Sequence, residues 1–302
     1  MGCGPGIFCR IQFLLMFKRS VETFLAKMPY WDLLDRWGRR IEILRSRVNR
    51  RRKGDDGKQS LAERRDQLER MILSWGSEIR RGPFVGMSLL PDKALGSKFC
   101  PKILGVYERE IQFFFEQLKD ENYELIVDIG SAEGYYTVGL AKKFPDSRVV
   151  AVEPSKQARE LCWKNAQLNE VAFEQKSELL PDELVNLVRD RRCLVVCDCE
   201  GYEDQLMTHE VCQALVRSDC IVETHDFVEL GISQRLFERA REMHQVEVVK
   251  SVDDVSKAME YLVPELEGWS LQDRWLVLRE GRPGTMRWIC MWSREAGAGI
   301  EK

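Results

Sequence analysis

One stretch near the middle of the chain constrains the fold more than any other. The apolar run 125–129 contains Asp128 and leads into a short loop with a glycine at each end, Gly130 and Gly134. Glycine tolerates positive φ and has no Cβ, so the backbone can turn sharply and come close to a ligand. A second apolar run ends at Glu153. This pattern predicts a β-α-β unit whose strand ends form a nucleotide-type site.

The glycine spacing narrows the ligand. A dinucleotide fingerprint, G-x-G-x-x-G, needs glycine at 130, 132 and 135, whereas the chain has Gly130, Ala132 and Tyr135. A dehydrogenase is therefore excluded. The pattern acidic-x-Gly-x-x-x-Gly, from Asp128 to Gly134, instead resembles motif I of the Rossmann-like, class I methyltransferases. The resemblance implies S-adenosylmethionine as cofactor.

That cofactor has an amino group, a carboxylate, a ribose diol and an adenine, but no pyrophosphate. Such a ligand needs carboxylates, and two stand at the predicted strand ends. Glu153 is expected to accept hydrogen bonds from both ribose hydroxyls, and Asp128 to bind the methionine end directly or through water. The loop residues Gly130, Ser131 and Gly134 complete the expected cofactor contacts. The alternative for either carboxylate alone is a helix cap or a loop residue.

Strands and helices alternate from residue 125 onward. Strands are predicted at 125–129, 148–152, 171–175, 193–198, 219–223, 246–250 and 286–292, with helices at 134–144, 155–168, 181–190, 202–217 and 231–244. Such alternation predicts a parallel sheet covered on both faces. The fold class is thus α/β: a Rossmann-like, seven-stranded, mostly parallel sheet with an antiparallel edge hairpin, plus a helical, basic N-terminal extension.

Charge divides the chain unevenly. The whole chain carries a formal charge of −3, but residues 1–60 hold 14 Lys/Arg against 6 Asp/Glu, which leaves −11 for the remainder. Residues 1–58 are predicted to be a basic amphipathic extension, 59–120 a helical cap or lid, and 121–302 the catalytic domain. The extension could contact an anionic membrane surface or a phosphate-rich partner. It could equally be a solvated arm or a dimerisation element.

Apolar runs and cysteines bear on location. No run approaches the roughly 20 apolar residues of a membrane span, and no cleaved signal peptide is predicted. The ten cysteines lie mostly in apolar runs, which favours a reducing cytoplasm. Cys193, Cys197 and Cys199 share one strand face, but buried thiols are the preferred interpretation over a zinc site.

The ends of the fourth and fifth predicted strands carry further motifs. One reads Asp198-Cys199-Glu200-Gly201-Tyr202-Glu203, and the other reads Glu223-Thr224-His225. These ends resemble the FkbM-type methyltransferases, over roughly residues 105–292. The resemblance implies methyl transfer to a hydroxyl oxygen of a small or glycosylated acceptor, typically a sugar or another small hydroxylated metabolite.

An alcohol is a poor nucleophile, so a base or a metal is expected near the acceptor. His225 is the candidate base, while Asp198 and Glu200 orient the acceptor or act as base instead. A Mg²⁺ site of Asp198, Glu223 and His225 is considered but not favoured, and no metal is predicted. His209 and His244 are expected at the surface.

The segment between the last two predicted strands contains further candidate substrate-binding residues. Arg274 or Arg282 could bind an anionic group of the substrate or form an ordinary ion pair. Four tryptophans could stack on a sugar or belong to the core: Trp269, Trp275, Trp288 and Trp292.

Two other functions remain open. One is a protein or nucleic-acid methyltransferase recruited by the basic arm, although the fourth strand lacks the Asn/Asp-Pro-Pro-aromatic element that binds a flipped base. A negative catalytic half would also repel phosphates. The other is a non-catalytic binding protein on the same fold.

Overall fold

The computed structural model of the protein describes residues 60–91, 98–118 and 122–294. The predicted basic extension, residues 1–58, lies outside the described residues. Its role and the predicted domain boundaries therefore stay predictions.

Strands within the described residues form one seven-stranded sheet. They are β1 Leu125–Ile129, β2 Arg148–Val152, β3 Glu174–Lys176, β4 Cys193–Cys197, β5 Asp219–Thr224, β6 His244–Lys250 and β7 Arg287–Ser293. Their order is β3-β2-β1-β4-β5-β7-β6. Strands β1 to β5 pair in parallel, and β7 pairs antiparallel with both β5 and β6. The predicted mostly parallel sheet with an antiparallel edge hairpin is confirmed.

Burial along the strands follows their place in the sheet. Every residue of β1 and β4 is buried, as expected for central parallel strands that are covered on both faces. The edge strand β3 is fully exposed. In the register, Ile129 of β1 lies beside Val152 of β2 and Cys197 of β4. Because these strands end level, the polar residues that follow them gather at one edge of the sheet.

Helices connect the strands and cover both faces. They are α1 Leu61–Ser74, α2 Phe99–Ile103, α3 Gln112–Gln117, α4 Tyr135–Lys143, α5 Lys156–Leu168, α6 Pro181–Val188, α7 Glu203–Leu206, α8 His209–Ala214, α9 Ile232–Ala240, α10 Asp254–Glu260 and α11 Leu271–Leu278. Short 3-10 helices span Arg109–Ile111 and Pro264–Leu266. None of the described helices has the length and apolar character that a membrane crossing needs.

Helix ends explain one difference from the predicted elements. The sequence predicts one helix over 202–217, but the structure has α7 and α8 there. Thr208 begins the second helix, because its side chain accepts a hydrogen bond from the N–H of Val211 at 3.3 Å. The break leaves α7 as a short helix directly after the fourth strand, which places Glu203 at its first position.

The segment before β1 packs against α4 and α5. Phe84 is buried against the ring of Tyr135, with centroids 5.2 Å apart. Asn165, fully buried in α5, accepts a hydrogen bond from the N–H of Leu90 at 2.9 Å. Asn169 holds Ser88 through two hydrogen bonds, of 2.7 and 2.8 Å. These asparagines therefore fix the segment that precedes the sheet, which gives them a structural role.

Candidate functional site

The loop after β1 adopts the turn that its glycines predict. Gly130 and Gly134 have φ of 85° and 90°, and Ala132 between them has φ of 44°. The N–H groups of Gly130 and Ser131 both donate to the carbonyl of Val152, at 2.9 and 3.1 Å. The loop is thereby held against the end of β2. A left-handed alanine is uncommon and costs roughly 1–2 kcal/mol, so the surrounding contacts must impose it.

The missing side chains of the two glycines face protein atoms. A Cβ on Gly130 would lie 1.6 Å from the carbonyl oxygen of Asp198, and a Cβ on Gly134 would lie 2.6 Å from Sγ of Cys162. The sequence assigns these glycines to a close approach between backbone and ligand. The structure shows in addition that they let the loop pack against β4 and α5.

Two carboxylates flank this loop. Asp128 is 2% exposed and accepts a hydrogen bond from the hydroxyl of Thr137. Burial raises the pKa of Asp128 to about 7, although the bonds from Thr137 oppose the shift. Glu153 accepts the N–H of Ala132 at 3.1 Å on one oxygen and that of Ser155 at 2.8 Å on the other. Each Glu153 oxygen can still accept a second hydrogen bond.

Ser131 and Glu133 behave differently within the loop. Ser131 is 4% exposed, and its Oγ has no hydrogen-bond partner among the described residues. Buried hydroxyls are normally paired, so this atom is available to a ligand. The Glu133 side chain instead pairs with the buried ammonium of Lys102, which lies 4.5 Å from the Tyr107 ring centroid. Glu133 is thus part of the packing beneath the loop.

The ends of β4 and β5 bring a histidine and three carboxylates together. His225 is 2% exposed, and its Nδ1 lies 2.8 Å from Oε1 of Glu203. That glutamate is fully buried and also accepts the N–H groups of Cys199 and Gly201, at 3.1 and 3.0 Å. The Glu203 position is therefore fixed from three sides.

The other ring nitrogen of His225, Nε2, lies near two acidic residues. His225 Nε2 is 3.5 Å from Oδ1 of Asp198 and 3.5 Å from Oε2 of Glu200. The Glu200 side chain is 81% exposed, whereas that of Asp198 is 27% exposed. Burial lowers the pKa of His225, but the hydrogen bond to Glu203 and the charges of Glu203, Asp198 and Glu200 outweigh it, so the pKa is raised.

The pKa values of Asp198 and Glu203 are shifted in opposite directions. Burial and the nearby Glu108 raise the pKa of Asp198 to about 7, against the opposing effect of His225. Burial also acts to raise the pKa of Glu203, but its bonds to His225 and to backbone N–H groups leave it below the ordinary value. Glu203 is thus the carboxylate that stays ionised beside the histidine.

Potential metal ligands do converge here. One atom each of Asp198, Glu203 and His225 lies within 4.8 Å of the others. The two carboxylates, however, lie against opposite ring nitrogens. An ion bound by all three residues would occupy an imidazole nitrogen, so a metal site and a histidine base are alternative uses of this cluster.

Glu223 does not join the histidine. It is 3% exposed and forms an ion pair with Arg282, whose guanidinium also lies 2.7 Å from Glu108 and 3.0 Å from Glu280. The candidate Mg²⁺ set of Asp198, Glu223 and His225 is therefore replaced by one with Glu203. Arg282 reaches the site from the segment after α11, as a bridge between three buried carboxylates.

The other candidate substrate-binding residues, Arg274 and the four tryptophans, make contacts within the fold. Arg274 donates to the carbonyls of Ala258 and Tyr261, at 2.7 and 2.5 Å. Trp288 is fully buried, and Trp292 packs 5.3 Å from the Phe114 ring. The core interpretation holds for these two tryptophans. Trp269 packs edge-on to Trp75, and Trp275 lies under Arg279.

The two other histidines differ in burial. His209 is exposed at the start of α8, as expected. His244 is 1% exposed at the start of β6, and its Nε2 lies 2.9 Å from the carbonyl oxygen of Leu215. The surface prediction for His244 is wrong, because the strand begins two residues earlier than predicted and carries the ring into the core.

Sequence reasoning proposed the histidine but missed Glu203 as its partner. The signal was present, since Glu203 is the last residue of the Asp-x-Glu-Gly-x-Glu motif. All eight predicted site residues lie at one edge of the sheet, in the turns that follow β1, β2, β4 and β5 or at the ends of these strands.

Comparisons with known proteins give partial matches. No family model matches the chain. Over 93 residues, 31% of this chain, it is 26% identical to the ribosomal RNA large subunit methyltransferase G of Photobacterium profundum. The match spans 25% of that relative's length.

Solved structures with a similar arrangement include two methyltransferases. The precorrin-6y C5,15-methyltransferase from Geobacter metallireducens GS-15 is 15% identical, with a TM-score of 0.43 over 68% of this chain and 94% of that one. The O-methyltransferase TomG from Streptomyces achromogenes, solved with its cofactor, is 15% identical, with a TM-score of 0.43 over 68% and 92%.

The strand order itself defines the class. A parallel β3-β2-β1-β4-β5 arrangement, with an antiparallel β7 inserted between β5 and β6, constitutes the Rossmann-like fold of the class I methyltransferases. The loop after β1 and the acidic residue after β2 stand where ligands bind in such sheets, beyond the carboxyl ends of the strands.

Proposed function

We propose that the protein is an S-adenosylmethionine-dependent O-methyltransferase of FkbM type that acts on a small hydroxylated or glycosylated acceptor. The observation that carries the proposal is the pair of carboxylates around the β1 loop, at the same sheet edge as the Glu203–His225 pair. Asp128 and Glu153 supply acceptors for a cationic amine and a diol. His225 supplies a base for a hydroxyl group.

The residues of the loop fit this cofactor. Each oxygen of Glu153 already holds one backbone N–H and has a lone pair left for one ribose hydroxyl. Ser131 offers a buried hydroxyl that has no partner within the described part of the chain. Asp128 would bind the amino group of the methionine end. No phosphate-binding set of lysines or arginines is required.

The chemistry of the acceptor follows from the histidine pair. When bound, S-adenosylmethionine supplies an electrophilic methyl group. His225 takes the hydroxyl proton on Nε2, while the Glu203 carboxylate holds Nδ1–H and stabilises the imidazolium that forms. Asp198 is close enough to Nε2 to orient the hydroxyl. Since Glu200 is largely exposed, His225 is the preferred base.

Two alternative functions are weighed against this one. The relative matched over 93 residues is a ribosomal RNA methyltransferase, which makes nucleic acid the second candidate acceptor. Against it, the site edge is acidic, and Asp198-Cys199-Glu200 stands where a base-binding Pro-Pro-aromatic element would be needed. Against a non-catalytic binding protein, the chain has Asp128, Gly130, Gly134 and Glu153 together at the proposed cofactor edge.

Cysteine chemistry supports the proposed location. The eight cysteines within the described residues are all free, and most are buried. We therefore assign the protein to a reducing compartment, the cytoplasm.

Calorimetric titration with S-adenosylmethionine tests the proposal. We expect micromolar binding that Glu153→Ala abolishes and that Glu242→Ala, a change at an exposed acidic position before β6, leaves intact. Titrations with Mg²⁺ and with a chelator are expected to agree. Absence of binding to the wild-type protein would contradict the proposal. Where binding is found, a screen of sugars, phenols and RNA, with product detected by mass, separates the two acceptor classes.

A further inference from the structure

The turn after β5 exposes apolar side chains next to the catalytic pair. Phe227, Val228 and Leu230 are 47%, 37% and 86% exposed. The Phe227 ring centroid lies 5.6 Å from that of His225. Large apolar side chains that cluster in solvent beside a reactive group commonly mark a binding surface. We call residues 227–230 the apolar turn.

The apolar turn is held rigidly, so its exposure is not a consequence of a loose loop. At its start, Asp226 accepts the N–H of Ser233 at 3.0 Å and pairs with Arg287 at 2.8 Å. At its end, Glu229 pairs with Arg235 at 2.7 Å, and Arg235 also pairs with Asp204. The turn is thus anchored on both sides while its apolar side chains remain free to bind.

The turn after β4 completes the same surface. Gly201 approaches Val228 so closely that a Cβ there would lie 2.9 Å from Cγ1 of the valine. Glu200 has φ of 57°, a left-handed conformation, and its carboxylate is largely exposed beside His225. Tyr202 is 37% exposed. One continuous rim therefore combines an aromatic and apolar part with an acidic part.

The acidic part of this rim includes Glu200, a carboxylate that is not paired with a lysine or arginine of the described residues. Among the described residues, the ion-pair partner of Glu200 is His225, which also faces Asp198. The nearby arginines, Arg235 and Arg287, are already paired with Glu229 and Asp226. The excess negative charge would attract a cationic group and repel an anionic one.

We propose that the methyl acceptor carries an apolar, ring-sized body, which packs on the apolar turn, and a positively charged amine, which binds Glu200 at the acidic rim. This inference rests on the proposed function and specifies its substrate class. A second copy of the chain that docks through its own acidic rim is a poorer occupant, because this would bring like charges together. An anionic membrane surface is disfavoured for the same reason.

Three phenols that differ in charge provide the probes: tyramine is cationic, 4-ethylphenol is neutral and 3-(4-hydroxyphenyl)propionate is anionic. Each is titrated into the full chain in the presence of S-adenosylhomocysteine. We expect tyramine to bind about fivefold more tightly than 4-ethylphenol, and the anion to bind most weakly. Glu200→Gln should remove the advantage of tyramine over 4-ethylphenol.

Apolar variants test the other half of the surface. Leu230→Ser should weaken tyramine and 4-ethylphenol by the same factor. Leu262→Ser is the matched control, because Leu262 is 84% exposed in a different part of the chain, and it should change neither affinity. Equal affinities for the three phenols, or no binding of any, would overturn the inference, as would equal effects of the two leucine variants.

The outcomes separate this inference from the proposed function. If S-adenosylmethionine does not bind, the proposed function fails first. If it binds with Glu153 dependence but the phenols show no charge preference, the substrate class alone is wrong. Light scattering tests whether a second copy of the chain occupies the apolar turn instead. A dimer that Leu230→Ser dissociates would show that it does, and would overturn the inference.

Discussion

Gly130 has no Cβ at a point where one would lie 1.6 Å from the carbonyl oxygen of Asp198. The loop after β1 therefore rests directly on the backbone at the end of β4. Through this contact, the position of the proposed cofactor loop fixes the position of the segment that carries Asp198, Glu200 and Glu203. A displacement of either segment must move the other.

Gly130→Ala should destabilise the fold more than an ordinary substitution at positive φ. The opposing atom belongs to the backbone and cannot rotate away, so we expect a loss of about 3 kcal/mol or more. Gly268→Ala is the control, since Gly268 has φ of 76° but nothing within 4 Å of an added Cβ. That change should cost roughly 1–2 kcal/mol. Urea unfolding of both proteins gives the comparison, and equal losses would refute the packing argument.

Glu203→Gln should lower the pKa of His225 and slow methyl transfer while cofactor affinity is kept. The amide removes the negative charge beside Nδ1 that raises the pKa of His225, so we expect this pKa to decrease. NMR titration is practical because the chain has only three histidines. His225→Ala should abolish turnover with unchanged binding of S-adenosylmethionine. An unchanged His225 titration in Glu203→Gln would remove the glutamate from this role.

The rate should increase with pH through the pKa of His225. Only the neutral imidazole can accept a proton, and the pKa lies above its ordinary value, so the rise is expected above pH 6.5. In Glu203→Gln the same rise should move to lower pH and reach a lower plateau. A profile that is flat across this range in the wild-type protein would exclude His225 as the base.

Cofactor affinity should depend on pH through Asp128. Its pKa is about 7 in the ligand-free protein, and the amino group of the cofactor needs the ionised carboxylate. Below that pH the affinity should fall roughly tenfold per unit. Calorimetry between acid and neutral pH measures this slope, and Asp128→Asn should bind weakly with the slope removed.

The raised pKa of Asp128 also affects stability: the ionised carboxylate that the cofactor needs destabilises the ligand-free fold. A carboxyl whose folded pKa exceeds its unfolded value stabilises the fold at acid pH, and this contribution is lost as pH rises toward 7. At about pH 8, Asp128→Asn should therefore be more stable than the ligand-free wild type by a few kcal/mol. A lower unfolding midpoint for the variant would contradict this expectation.

Arg282→Leu should be severely destabilising. It would leave Glu108, Glu223 and Glu280 buried without their shared cation, at a cost of about 3–5 kcal/mol. Because three carboxylates would then repel one another, part of the loss should be recovered at acid pH, where they protonate. The double variant Arg282→Leu with Glu223→Leu should be more stable than the single one. If instead the two losses simply add, the pair is not coupled.

The sequence predicted the sheet well because its signals are local. The runs around Asp128 and Cys197 are continuously apolar, and the glycines at 130 and 134 require positive φ, so strand, turn and helix follow from adjacent residues. The His225 partner could not be predicted in this way. Glu203 and His225 are separated by 22 positions, and their contact depends on the pairing of β4 with β5, which runs two residues past the end of β4.

Arg282 and His244 show the same limit from opposite directions. Arg282 lies in a loop of ordinary polar composition, yet it is drawn into a buried cluster by Glu108 and Glu223, which come from distant segments. His244 looks like the polar end of a helix, but antiparallel pairing with β7 makes it the first residue of a strand. In both cases the partner in space decides the environment.

The sheet assigns its two tasks to different halves of the chain. Asp128, Ser131 and Glu153 lie at the end of β1 or directly after β1 and β2, whereas Asp198, Glu203 and His225 lie in the segments that follow β4 and β5. On the proposed function, we therefore expect exchange of the apolar turn after β5 to alter which acceptor is methylated while Asp128 and Glu153 stay in place. New acceptors could then be obtained, in evolution or in the laboratory, by grafting short turns onto an unchanged donor half.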